Sequence, residues 1–322
     1  MTMSAAVGVS RKPYKDWDAW WIERGALALV LVPQVGGRIM GMIWRGRDLA
    51  FTNAELEGRV ENVAAVDDIR ARKRELGFLL WGGDKTWLAP QGRWTENVPF
   101  IDLDSGAYEL SVDSNNSIAT MTSPVCRETG VQIERRVGLG NRTGTWRVTH
   151  TLRNESGGVV SWAPWIVTML VRPASVFLPT RADSPYPQGV RTFKNEGVSA
   201  TVRDRVLSHI DDIAVVSCRD PIKFKYGADA ESGSILAVIG SGPEGLIGFR
   251  KSVPTYRQQP YPHGCVAEVF NASDYPYFEM ELHGPGVRLA PGESFTLAED
   301  AALFDLDEVP CEATAVRKYL AP

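Results

Sequence analysis

The chain is predicted to be all-β, and three observations carry that prediction. Short apolar or alternating runs recur from one end to the other. The turns between them are built from Asn, Gly and Ser, the spacing of an antiparallel meander. Only residues 66–76 (VDDIRARKREL) read as a helix, charge-rich and suited to the surface. No tandem repeat, low-complexity tract or linker divides the 322 residues, so one large β domain over 1–322 is expected.

Taken in order, residues 1–18 read as a polar lead-in. Residues 26–32 (ALALVLV) are apolar throughout, as in a strand covered on both faces, and 33–37 turn the chain. Residues 38–44 and 49–52 flank Arg45-Gly46-Arg47-Asp48 as a hairpin. After the helix, residues 81–94 (WGGDKTWLAPQGRW) show no helical or strand period and read mostly as loop. Strand pairs follow at 108–112 with 118–122 and at 131–139 with 145–153, and then a strand at 159–171. The glycines of Gly138-Leu139-Gly140 belong to a hairpin, because no helix follows them to make a phosphate loop. Residues 172–200 are Pro-rich and read as an irregular insertion crossing the sheet. Strands resume at 222–226, 234–239 and 245–250, and residues from 303 onward close the fold.

Composition excludes several function classes. A formal net charge of −4 argues against nucleic acid or an anionic membrane surface, which would want a basic stripe. No apolar run approaches the ~20 residues of a membrane span. The first 18 residues carry no apolar core of a secretory signal, so a cytoplasmic location is the default expectation. Cys126, Cys218, Cys265 and Cys311 are scattered, which suits reduced and mostly buried thiols.

Two stretches carry the chemistry. The 81–94 run packs Trp81, Trp87 and Trp94 beside Asp84, Lys85, Gln91 and Arg93. Indole faces suit the C–H face of a sugar ring, and directional polar groups suit its hydroxyls. The competing reading puts the tryptophans in the core and the charges on a solvated rim. In the second stretch, 277–283 (YFEMELH), period two places Phe278, Met280 and Leu282 on one face. Tyr277, Glu279, Glu281 and His283 share the other, which either faces water or lines a cleft where low dielectric raises a Glu pKa. Glu268 shares its direction with Val266 and Phe270, so it is expected to be buried and paired, with Lys85 or an arginine.

Of the four histidines, His150 reads as structural and His209 lies in a charged stretch, whereas His263 and His283 flank the carboxylate strands. His263, His283 and Glu268 could together hold a divalent ion, but no compact ligand motif supports this. No metal or cofactor is expected. No G-x-S-x-G elbow points to a serine nucleophile. The same-strand carboxylates are badly placed to flank a glycosidic bond.

The segments GGDKTWLAPQGRW, EVFN, FKYGAD and YFEMELHGPGVRLAPGES, with the early Gly-Gly-Arg hairpin, resemble the galactose-mutarotase-like superfamily, relatives of aldose 1-epimerases. The resemblance covers nearly the whole chain. It implies a supersandwich of two large antiparallel sheets with a carbohydrate cleft, and a small-molecule sugar as partner. It places Glu281 where epimerases carry the base that takes the anomeric hydroxyl proton. It also places Lys85 where they carry a sugar-binding Arg. Their acid is a mid-chain histidine; the matching stretch here, 162–169 (WAPWIVTM), has none, so His263, His283 or Lys85 is expected to act as the acid or electrophile. Trp81, Asp84, Trp87, Gln91, Arg93, Trp94, Glu279 and His283 complete the expected binding set, with Lys85, His263, Glu268 and Glu281 as the expected catalytic set. An epimerase is therefore expected. A non-catalytic sugar-binding or sensing protein, and a lyase or isomerase on an unusual glycoside or uronate, are the alternatives.

Overall fold

The computed structural model describes residues 7–113, 117–193, 199–230, 232–241 and 245–321. Among these, two antiparallel sheets form the molecule, one of twelve strands and one of ten, with four short α-helices around them. Their facing surfaces make the main core. From the larger sheet come Leu88, Ile166, Phe278, Met280 and Leu282; from the smaller come Val137, Val148, Phe249 and Leu297.

The smaller sheet shows its nature in the sequence. In Val131–Leu139 and Thr145–Asn154, buried residues alternate with more exposed ones, because one face meets the core and the other meets water. The middle of the larger sheet does not alternate. Every residue of Leu27–Val32, Asp84–Ala89 and Tyr277–His283 is buried, so both faces of these strands are covered.

Several sequence expectations need correction. Asp84–Ala89 is a strand within the 81–94 run expected to be mostly loop. It hides because both faces are buried and the glycines before it look like a turn. Those glycines have a packing reason: a Cβ on Gly82 would stand 2.1 Å from the Phe51 carbonyl oxygen, and its φ of +102° favours Gly in any case. The polar lead-in contains the edge strand Gly8–Tyr14, paired with Trp17–Arg24. The 172–200 segment contributes Ala174–Pro179 to the smaller sheet and Val190–Thr192 to the larger; residues 194–198 lie outside the described residues. The helix spans Ile69–Leu76, capped by the Asp68 side chain accepting from the Ala71 N–H. Cys126, Cys218 and Cys265 are buried, Cys311 is exposed, and all four are free.

The larger sheet positions the site. In spatial order its relevant strands are Asp84–Ala89, Val160–Val171, Tyr277–His283, Ala267–Asn271, Phe224–Ala228 and Val190–Thr192. Their registers align one continuous row across the sheet: Lys85, Val167, Glu281, Glu268, Gly227 and Arg191. Cross-strand neighbours project to the same side, so this row is one surface.

Candidate functional site

That surface collects charge. Phe278, Met280 and Leu282 enter the inter-sheet core, which sends Glu279, Glu281 and His283 to the opposite face, the division the alternation predicted. Strand pairing then sets Glu268 directly opposite Glu281. Two carboxylates in register repel unless a cation stands between them. Lys225 is that cation. Its Nζ lies 2.8 Å from Glu268 Oε2 and 2.8 Å from Glu281 Oε2. Glu281 Oε2 also accepts from Trp165 Nε1 at 2.7 Å.

Two histidines close the cluster. His263 Nδ1 is 3.2 Å from Glu268 Oε1, and its Nε2 accepts weakly from the Gln91 backbone N–H at 3.4 Å. That acceptance puts the proton on Nδ1, where it is donated to Glu268. His283 Nε2 stands 3.3 Å from Glu268 Oε2, and its ring stacks on Trp165 at 5.5 Å between centroids.

Burial and charge compete at each group. Burial alone would raise Glu268, but Lys225 and the two histidines outweigh it and hold the carboxyl well below its ordinary range. Burial raises Glu281 well above that range; Lys225 opposes this, while the charges of Glu268 and Glu279 add to it. The two carboxylates thus share one ammonium unequally: Glu268 keeps the charge and Glu281 is the one that takes a proton. Lys225 is pulled down by burial and lifted further by Glu268 and Glu281, ending above its ordinary value. His283 is pushed down to about 4, by burial first, so its ring is neutral. Lys85, 3.9 Å from Glu279 and 4.6 Å above the Trp87 ring, is lowered to about 8, mainly by burial.

The cluster opens on a cavity of about 800 Å³, whose wall includes Lys225, His263, Gln91, Tyr186 and Phe193. Glu268 and Glu281 are fully buried, one layer behind Lys225 and His263. The expected partner of Glu268, Lys85 or an arginine, is corrected to Lys225. A glycine makes room for this arrangement: a Cβ on Gly227 would stand 2.6 Å from Cys265 Sγ and 3.2 Å from Glu268 Cγ.

His263, Glu268 and His283 each bring a ligand atom within 4.8 Å of the others, the composition of a divalent-ion set. The hydrogen bonds fit a proton network better. His263 Nδ1 is committed to Glu268 Oε1, and Glu268 Oε2 already meets the Lys225 ammonium at 2.8 Å.

Other expected site residues lie elsewhere. Asp84 points between the sheets, where it pairs with Arg135, with Lys251 at 2.8 Å and with Thr168 at 2.6 Å. Its direction follows from Lys85 facing the cleft, because adjacent residues of a strand oppose. The tryptophans expected as a stacking platform are core: Trp81 Nε1 donates to Ser105, Trp87 Nε1 to Asp104 and Trp94 Nε1 to the Leu88 carbonyl. Arg93 lies exposed over the Trp162 ring, 3.9 Å from its centroid. Gln91 alone of the 81–94 set lines the cavity. Lys225, Trp165, Tyr186 and Arg191 were missed, although a lone lysine between Phe224 and Tyr226 in a strand was a readable signal for the first.

The architecture has clear counterparts among solved structures. A galactose mutarotase-like protein from Lactobacillus casei superposes with a TM-score of 0.55 at 10% identity, covering 89% of this chain and 100% of its own. One from Clostridium acetobutylicum gives 0.54 at 10% identity, covering 94% and 99%. A candidate aldose 1-epimerase from Klebsiella pneumoniae gives 0.61 at 12% identity, covering 94% and 84%. The chain has the galactose mutarotase-like fold. No protein-family model and no curated protein sequence matches it. Among the described residues, no helix is long and apolar enough to cross a membrane.

Proposed function

We propose that the protein is a sugar isomerase of mutarotase type, with His263 and Lys225 as the pair that exchanges protons with the ring. The observation that carries this is their placement: both are held by Glu268, and both reach one cavity on the sheet face where the carboxylates collect.

Anomer exchange needs one group to take the anomeric hydroxyl proton and another to supply a proton to the ring oxygen. His263 suits the first task. Its Nδ1–H is anchored on Glu268, which orients the ring and stabilises the imidazolium formed when Nε2 releases its weak hydrogen bond from the Gln91 N–H and takes a proton. Lys225 suits the second. Its ammonium is held charged, and the ring oxygen released on opening is a stronger base than a lysine amine. The C1–O5 bond breaks as His263 gains a proton and Lys225 loses one. Rotation about C1–C2 and reclosure return both protons. Glu281 serves as a positioning residue here: it holds Lys225 from behind, 2.8 Å from its ammonium.

The test is anomer exchange by NMR over a panel of free aldoses. Exchange faster than in buffer, lost by at least ~10²-fold in His263→Asn and in Lys225→Met, is the expected result. If no aldose exchanges faster with protein than without, the proposal is wrong.

A further inference from the structure

The charge of the cavity wall differs from that of the whole molecule. The chain carries a formal net charge of −4. Yet Arg191, Arg203 and Lys225 line the cavity, and among the described residues no carboxylate does. Lys225 is paired from behind with Glu268 and held by Glu281. The two arginines are not: among the described residues neither forms an ion pair with any Asp or Glu.

Their setting is that of a binding wall. Arg191 lies in register with Gly227 and so projects to the same face as Glu268 and Glu281. Its Nη1 donates to the His263 carbonyl, and its guanidinium lies 4.7 Å over the Phe193 ring. These contacts, with the Tyr186 ring 5.8 Å away, fix its position, and among the described residues no carboxylate pairs with it. Arg203 comes from the separate helix Ala200–Val206, so two elements converge on the cavity with the same sign. A protein of net negative charge that gathers uncompensated guanidinium groups around one concave space concentrates anions there. A planar fork of donors matches a carboxylate or phosphate.

We infer that the cavity selects an anionic monosaccharide, one carrying a carboxylate or a phosphate, with Arg191 and Arg203 receiving the anionic group. This rests on the mutarotase reading for the sugar and on the wall residues for the charge. Tyr186 and Phe193 offer aromatic surface to the ring, and His263 and Lys225 face its polar edge.

The experiment is a calorimetric titration of the full chain with glucuronate, glucose 6-phosphate and glucose, with anomer exchange followed by NMR on the same three sugars. At least one anionic sugar is expected to bind about tenfold or more tighter than glucose. Arg203→Gln and Arg191→Gln should each erase most of that preference. Because Arg203 sits on a surface helix, its variant tests the idea even if Arg191→Gln fails to fold. Preference for glucuronate alone names a uronate, and preference for glucose 6-phosphate alone names a sugar phosphate. Equal binding of glucose, no binding of either anion, or a preference that survives Arg203→Gln overturns the inference. Exchange of glucose without anion preference overturns it and leaves the isomerase standing. Tight anion binding without any exchange does the reverse.

Discussion

The two faces of the larger sheet each bury a cluster of charges, and the clusters are built differently. Between the sheets, Asp84 and Glu299 meet Arg135 and Lys251, two negative groups against two positive, all fully or almost fully buried. On the other face Glu268, Glu279 and Glu281 meet Lys225 and Lys85, three carboxylates against two ammoniums, one of which is lowered to about 8. The first cluster is balanced and sealed. The second is unbalanced, pushes its members' proton affinities apart and touches a cavity. A balanced buried network fixes the packing of two sheets; an unbalanced one beside a cavity keeps protons available for exchange.

The comparison can be broken most severely at Asp84. Asp84→Ala leaves Lys251 and Arg135 without their shared anion, and urea denaturation should show a loss of about 3–5 kcal/mol. The matching change on the cleft side, Glu268→Gln, should act mainly on chemistry: anomer exchange should fall by ~10²-fold or more. If it instead lowered stability as much as Asp84→Ala and left exchange intact, the distinction between the clusters would be lost.

A pH series sharpens the difference further. The folded-state pKa of Lys85 is lowered to about 8, so between there and the ordinary lysine value near 10.5 the unfolded chain binds more protons. Stability from this group therefore rises with pH across that window. In Lys85→Met that contribution should vanish, which paired denaturation curves at pH 7.5 and 10 would show. The smallest effect is expected at Arg93. Removing it in Arg93→Ala should cost no more than about 1 kcal/mol, the worth of an exposed cation–π contact, and leave ligand affinity unchanged by calorimetry.

Much of the fold was legible because one face of the smaller sheet is wet. Residues 131–139 and 145–153 alternate visibly, and the turn residues between them fix the hairpin. Tyr277–His283 was legible for another reason: charged and apolar side chains alternate there although all are buried. Asp84–Ala89 gave no period, since a strand covered on both sides needs none, and its direction, which removes Asp84 from the cleft, could not be read. Gly8–Tyr14 escaped because an edge strand mostly exposed to solvent carries polar residues like any loop. The site was harder still. Lys225, Trp165 and Arg191 join Glu281 only through strand order, and no local pattern announces which distant strands become neighbours.

The bare α-carbon of Gly227 has a wider meaning. It stands in the middle of the charged row, and the carboxylate beside it uses the clearance to reach its lysine. Redesign of this cavity for a different guest should therefore leave position 227 untouched and work on the aromatic rim at Tyr186 and Phe193. A single methyl group at 227 would move the reactive centre itself, whereas changes at the rim would alter only what is admitted to it.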